Sequence, residues 1–121
     1  MTLGKSSQAK GRRGERELSR IFQSYGYDVR PGEPLNYGTQ PDLIGLPGVH
    51  IEAKRAENLR LWDWVQQSEQ DAKRFRDGAP TVFFRRSRSP WYVVMKLEDW
   101  MGLYNRQKPA ENADRKGGDI N

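Results

Sequence analysis

Cysteine is absent from this 121-residue chain and histidine occurs once, which excludes disulfides, thiolate catalysis and any Cys/His zinc site. No apolar run approaches the ~18 residues that a membrane-spanning helix needs. The opening MTLGKSSQAKGRRGERE has no apolar stretch of the kind that drives secretion, so neither a leader nor a membrane partner is expected. Apolar residues are few as well, 35% against 31% charged. That supports one domain with a modest core, part of the chain staying outside it. Positive charge is in surplus, with a net charge of +5 and a pI of about 9.7. Such a balance suits a polyanionic partner, nucleic acid or an acidic surface alike. With no thiolate available, a bound metal would take oxygen ligands, which favours Mg²⁺, Mn²⁺ or Ca²⁺.

Residues 1–10 are polar and aperiodic and read as a flexible basic arm. From Arg12 to Tyr25 the residues Leu18, Ile21, Phe22 and Tyr25 recur at helical spacing, and Gly26 supplies a stop. Tyr27–Arg30 is a short strand candidate, and PGEPLNYGTQ after it is an irregular loop. In PDLIGLPGVHIEAK, residues 41–54, two apolar runs flank a Pro-Gly turn, which predicts a β-hairpin. A second helix is expected over Arg60–Arg76, with Leu61, Trp64, Val65, Ser68, Ala72 and Phe75 on one stripe. Thr81–Phe84 and Trp91–Leu97 follow as paired strands around a charged turn. A short helix from about Glu98 carries Trp100, Met101 and Tyr104. Residues 107–121 are polar and read as a disordered tail, leaving a single domain over residues 11–106. The order α-β-β-β-α-β-β-α predicts an α/β fold with a central mixed sheet of about four to five strands flanked by helices.

The chemistry concentrates in the predicted hairpin. Two-residue alternation turns His50, Glu52 and Lys54 to one face of a strand and Ile51 and Ala53 to the other. Asp42 and Glu52, held close together, can bind a divalent cation, and the Ala53 carbonyl could add one more oxygen. Lys54 beside them could orient a nucleophilic water and offset charge building on a phosphoryl group. An exposed Glu52–Lys54 pair on an edge strand is the plainer alternative.

Pro41 and Asp42, ten residues before Glu52-Ala53-Lys54, resemble the signature of the PD-(D/E)XK nuclease superfamily. The opening KGRRGERELSRIFQSYGYDV is similar to the first helix of archaeal-type Holliday-junction resolvases. WDWVQQSEQDA and VFFRRSRSPWYVVMKLEDW are similar to small phage-encoded resolvase-like members. The resemblance covers residues 10–101 and implies a restriction-endonuclease-like fold. It implies a Mg²⁺-dependent endodeoxyribonuclease, with Mn²⁺ as a substitute, selective for branched DNA and acting as a homodimer in DNA recombination or packaging. The expected place of action is the cytoplasm, that of a bacterial host if the chain is phage-encoded. It also implies that Glu15, Asp42, Glu52, Lys54 and Gln67 are catalytic and that Asp42, Glu52 and the Ala53 carbonyl, supported by Glu15, hold the metal. On a helical wheel Glu15 and Glu17 lie about 70° and about 90° to either side of the apolar stripe, so geometry leaves both open and the resemblance selects Glu15. Glu17 is otherwise a solvated charge. Gln67 lies about 110° from its own stripe, at the polar border.

His50 shares the parity of Glu52 and is expected to be structural rather than catalytic. Trp64, Trp91 and Trp100 sit at core-type positions, whereas Trp62 falls off its stripe and is free to touch substrate or a second subunit. Lys5, Lys10, Arg12 and Arg13 on one side, and Arg85, Arg86 and Arg88 on another, are the candidate DNA contacts. A general nickase, a restriction-like nuclease and a non-catalytic DNA-binding module are the competing functions.

Overall fold

The computed structural model describes residues 2–32 and 41–107, with side chains from Gly11 onward. Lys5 and Lys10 therefore fall outside the described side chains, as residues 108–121 fall outside the described chain. The elements are α1 (Thr2–Ser24), β1 (Arg30–Pro31), β2 (Leu43–Ile44), β3 (Val49–Arg55), α2 (Leu61–Phe75), β4 (Ala79–Arg85), β5 (Tyr92–Met95) and α3 (Leu97–Asn105). Their order is the one expected, and the class is mixed α/β. α1 begins at Thr2, well before the apolar periodicity does. No proline interrupts residues 2–24, and the Lys, Gln, Ala and Arg there are good helix formers.

The three-stranded sheet has the order β3-β4-β5, parallel between β3 and β4 and antiparallel between β4 and β5. Parallel neighbours need a crossover, and α2 supplies it. In this register Val49 lies opposite Ala79 and Glu52 opposite Val82. Gly78 (φ +131) makes the close entry into β4 possible, because a Cβ there would collide with the Gly48–Val49 peptide.

β2 departs from the predicted hairpin. Its partner is β1, antiparallel, with Gly32 N donating to Asp42 O at 3.0 Å. Gly45 (φ +113) brings the chain against the Asp28 carbonyl, where no side chain would fit. The chain then turns at Pro47–Gly48, with Val49 N donating to Leu46 O at 3.3 Å. Asp42 thus stands at the head of a separate two-stranded ribbon beside β3.

The two faces of β3 have different fates. Val49 and Ile51 join Leu18, Val29, Leu43 and Phe83 in the main core under α1. Gly14 lets the α1 backbone approach β3, its side-chain space lying 3.2 Å from Arg55 Cβ. On the other face Trp64, Ser68 and Ala72 of α2 are buried, as their stripe predicts. Tyr25 and Trp100 correct the expected core. Tyr25 is 75% exposed because the helix ends at Ser24. Trp100 is 48% exposed and stacks on Tyr104 at 5.0 Å, Leu103 being the α3 residue that packs on the core. Trp62 is exposed, as expected. No helix among the described residues is long and apolar enough to cross a membrane.

Candidate functional site

Glu52 is 6% exposed, and a carboxylate at that depth needs partners. It has one on each side along its own strand. His50 Nε2 lies 3.1 Å from Glu52 Oε1, and Lys54 Nζ lies 3.6 Å from Glu52 Oε2. Lys54 in turn donates to Gln67 Oε1 on α2 at 2.9 Å. A residue at the polar border of α2 thereby aims the ammonium back over the sheet.

Asp42 arrives from the residue just before β2 and Glu15 from α1. The Glu15 carboxyl is pushed up from the usual 4.5 to about 7. Burial contributes most, followed by the charge of Asp42, a hydrogen bond with Asp42 and the charge of Glu52, while Lys54 acts in the opposite sense. Of the two α1 glutamates left open by the wheel, Glu15 is therefore the one beside Asp42. Glu17 corrects the expectation of a solvated charge: it accepts from Arg85 Nη1 and Trp91 Nε1, both at 3.1 Å.

A cleft of about 270 Å³ opens over this group, lined by Asp42, His50, Glu52 and Gln67 together with Asp71, Arg74 and Phe75. Asp71 was not singled out in the sequence. Gln67, Asp71 and Arg74 stand at i, i+4 and i+7 on α2, a spacing that marks one helix face once Gln67 is known to point inward. His50 is fully buried, and Nδ1 donates to both oxygens of Asp77 at 2.9 Å. Burial acts to lower the His50 pKa, but hydrogen bonds to Glu52 and Asp77 and the charges of both outweigh it and hold the ring above its usual 6.5.

The positive charge is distributed unevenly. Arg12 and Arg13 are exposed on α1. Arg13, Arg16, Arg20 and Arg55 border a second cleft of about 470 Å³, in which Arg55 Nε is buried without a hydrogen-bond partner. Arg13, Arg16 and Arg20 share one helix face by spacing, a signal the sequence reading left unused. In the β4–β5 turn Arg86 and Arg88 are exposed, whereas Arg85 is held by Glu17.

No protein-family model matches the chain, and no curated protein matches it. Among solved structures it is similar to the Holliday junction resolvase Hjc of the archaeal hyperthermophile Archaeoglobus fulgidus. The identity is 25% and the TM-score 0.53, over 71% of this chain and 72% of that one. The chain has a Holliday-junction-resolvase-like PD-(D/E)XK nuclease fold.

Proposed function

We propose that this chain is a metal-dependent endonuclease that hydrolyses phosphodiester bonds in branched DNA. The observation that carries the reading is the convergence of Glu15, Asp42, Glu52, Lys54 and Gln67, from α1, β3, α2 and the residue before β2, around one carboxylate-rich site. The similarity to a Holliday junction resolvase supports the substrate class. Asp42, Glu52 and the Ala53 carbonyl, with Glu15 in support, would hold the divalent cation, Mg²⁺ by preference and Mn²⁺ as a substitute. The donor set fits such an ion: all the ligands are hard oxygens, and the carboxylates crowd one another enough to raise Glu15 to about 7. When bound, the cation supplies polarisation of the phosphoryl group and acidification of the attacking water.

The protein's own groups do the rest. Glu15, hydrogen-bonded to Asp42, holds its proton up to about 7, and a cation held there would favour its release. Lys54, anchored by Gln67, orients the nucleophilic water and offsets charge on the non-bridging oxygens. Arg12, Arg13, Arg86 and Arg88, with Lys5 and Lys10, grip flanking phosphates. Binding to a four-way junction should therefore fall steeply, by at least tenfold between about 50 and 200 mM salt, as a titration of complex against ionic strength would reveal. A salt-independent affinity would exclude the phosphate grip.

A junction presents two symmetric strands, and a homodimer would place one site on each. Trp62 and Tyr92 leave apolar surface exposed on the α2 side of the sheet, which suits a second copy. The place of action is the cytoplasm, where DNA is recombined. Labelled four-way junction, flap and linear duplex incubated with Mg²⁺ test the whole reading. Wild type should cut the branched substrates and Asp42→Asn should not, with the dimer found by sedimentation on junction DNA. Equal cutting by both proteins would remove the proposed site. Equal cutting of all substrates points to a general nuclease, and binding without any cutting points to a DNA-binding module.

A further inference from the structure

We propose that His50, Glu52 and Asp71 form a second cation site, one with a nitrogen ligand, which shares Glu52 with the Asp42 site and takes a transition metal such as Mn²⁺ in preference to Mg²⁺. The inference rests on the nuclease reading only for the neighbouring ion; its own geometry is independent.

The ligand atoms of His50, Glu52 and Asp71 all lie within 4.8 Å of one another, and all three side chains line the same 270 Å³ cleft. They come from two elements, β3 and α2, so the cluster is a product of the crossover and not of local sequence. His50 is already arranged as a metal-binding imidazole is: Nδ1 is fixed by both oxygens of Asp77, which leaves Nε2 turned toward Glu52 and the cleft. Nε2 and Glu52 Oε1 are 3.1 Å apart. In the metal-free protein a proton bridges that distance as a hydrogen bond. Two ligands at a right angle on an ion with bonds of about 2.1 Å would sit about 3.0 Å apart, so a cation fits in place of the proton, which leaves Nε2 for solvent when the ion binds. A rotation of the half-buried Asp71 side chain brings the third ligand in. Imidazole nitrogen selects Mn²⁺ and its neighbours in the transition series over Mg²⁺, which prefers oxygen and retained water. Glu52, offering one oxygen to each side, would bridge the two ions.

His50 is the only histidine in the chain, so a spectroscopic signal from imidazole nitrogen has one source. Untagged protein is titrated with Mn²⁺, and the bound ion is observed by electron spin-echo envelope modulation. Wild type should bind two ions and show ¹⁴N coupling at saturation. Asp42→Asn should keep one ion with the coupling, and Asp71→Asn should lose the coupling or need at least tenfold more Mn²⁺ to show it. Absence of ¹⁴N coupling in saturated wild type overturns the site without recourse to any variant. If that protein still cuts junctions and binds one ion, the nuclease reading stands and only the second site falls. Coupling without any cutting keeps the site and removes the nuclease.

Discussion

Glu52→Gln should lower single-turnover cleavage of a branched substrate by at least about 10³-fold while leaving the protein folded and its metal-free affinity for DNA equal or higher. The rate loss is the removal of a charged metal ligand and of Lys54's partner, together worth on the order of 4 kcal/mol of transition-state stabilisation. The fold should survive because glutamine fills the same volume, and its amide oxygen can accept from His50 Nε2, as the carboxylate oxygen does now at 3.1 Å. DNA binding should hold or strengthen because a negative charge leaves a surface that phosphate approaches. Single-turnover rates and binding isotherms on the same preparation separate the two effects. A variant that cuts within tenfold of wild type would contradict the assignment, and one that neither cuts nor binds would point to misfolding.

The metal-free protein should become less stable as pH rises from 5.5 to 8. Glu15 in the folded protein holds its proton up to about 7, against the usual 4.5. Between those values the folded state binds a proton that the unfolded chain has lost, so stability falls as pH climbs through the window. His50 adds to this with the same sign. Its pKa is raised from 6.5, so its contribution is complete below 6.5 and is lost above, as pH passes through the folded value. Allowing for the partial exposure of Glu15, the combined loss is on the order of 1–2 kcal/mol, roughly 5–10 °C in Tm for a domain of this size. Saturating Mg²⁺ or Mn²⁺ at pH 8 should restore most of it, since a bound cation replaces the missing positive charge. Calorimetry across pH with and without cation checks both halves. A Tm that is flat or rising without metal would mean that the carboxylates are not crowded.

The strand residues of the site were legible because period-two alternation is local: His50, Glu52 and Lys54 on one face follow from residue numbers alone. The two α1 glutamates were ambiguous because a wheel ranks positions by angle and cannot say which neighbour each flank meets. Glu15 meets Asp42, and Glu17 meets Arg85 and Trp91. The partner of β2 was misread for a related reason. The Pro-Gly turn suits a hairpin, but the close approach of Gly45 to Asp28 pairs β2 with β1 instead. His50 is fully buried, its ring held between Glu52 and Asp77. What could not be read is Asp77, 27 residues further on, which ends the turn after α2 and reaches His50 only through the parallel β3–β4 register.

That register also sets a timetable. Every side chain assigned here to catalysis precedes Gly78 in the sequence, yet β3 has no neighbour in its sheet until Ala79–Arg85 is present to lie along it. A chain growing from its N-terminus therefore carries all the reactive groups for some time without the scaffold that aligns them. Non-local parallel pairing of this kind forms late and slowly. Nascent chains on the ribosome are thus expected to be harmless to nearby nucleic acid, and the capacity to cut would arrive as one step when β4 docks.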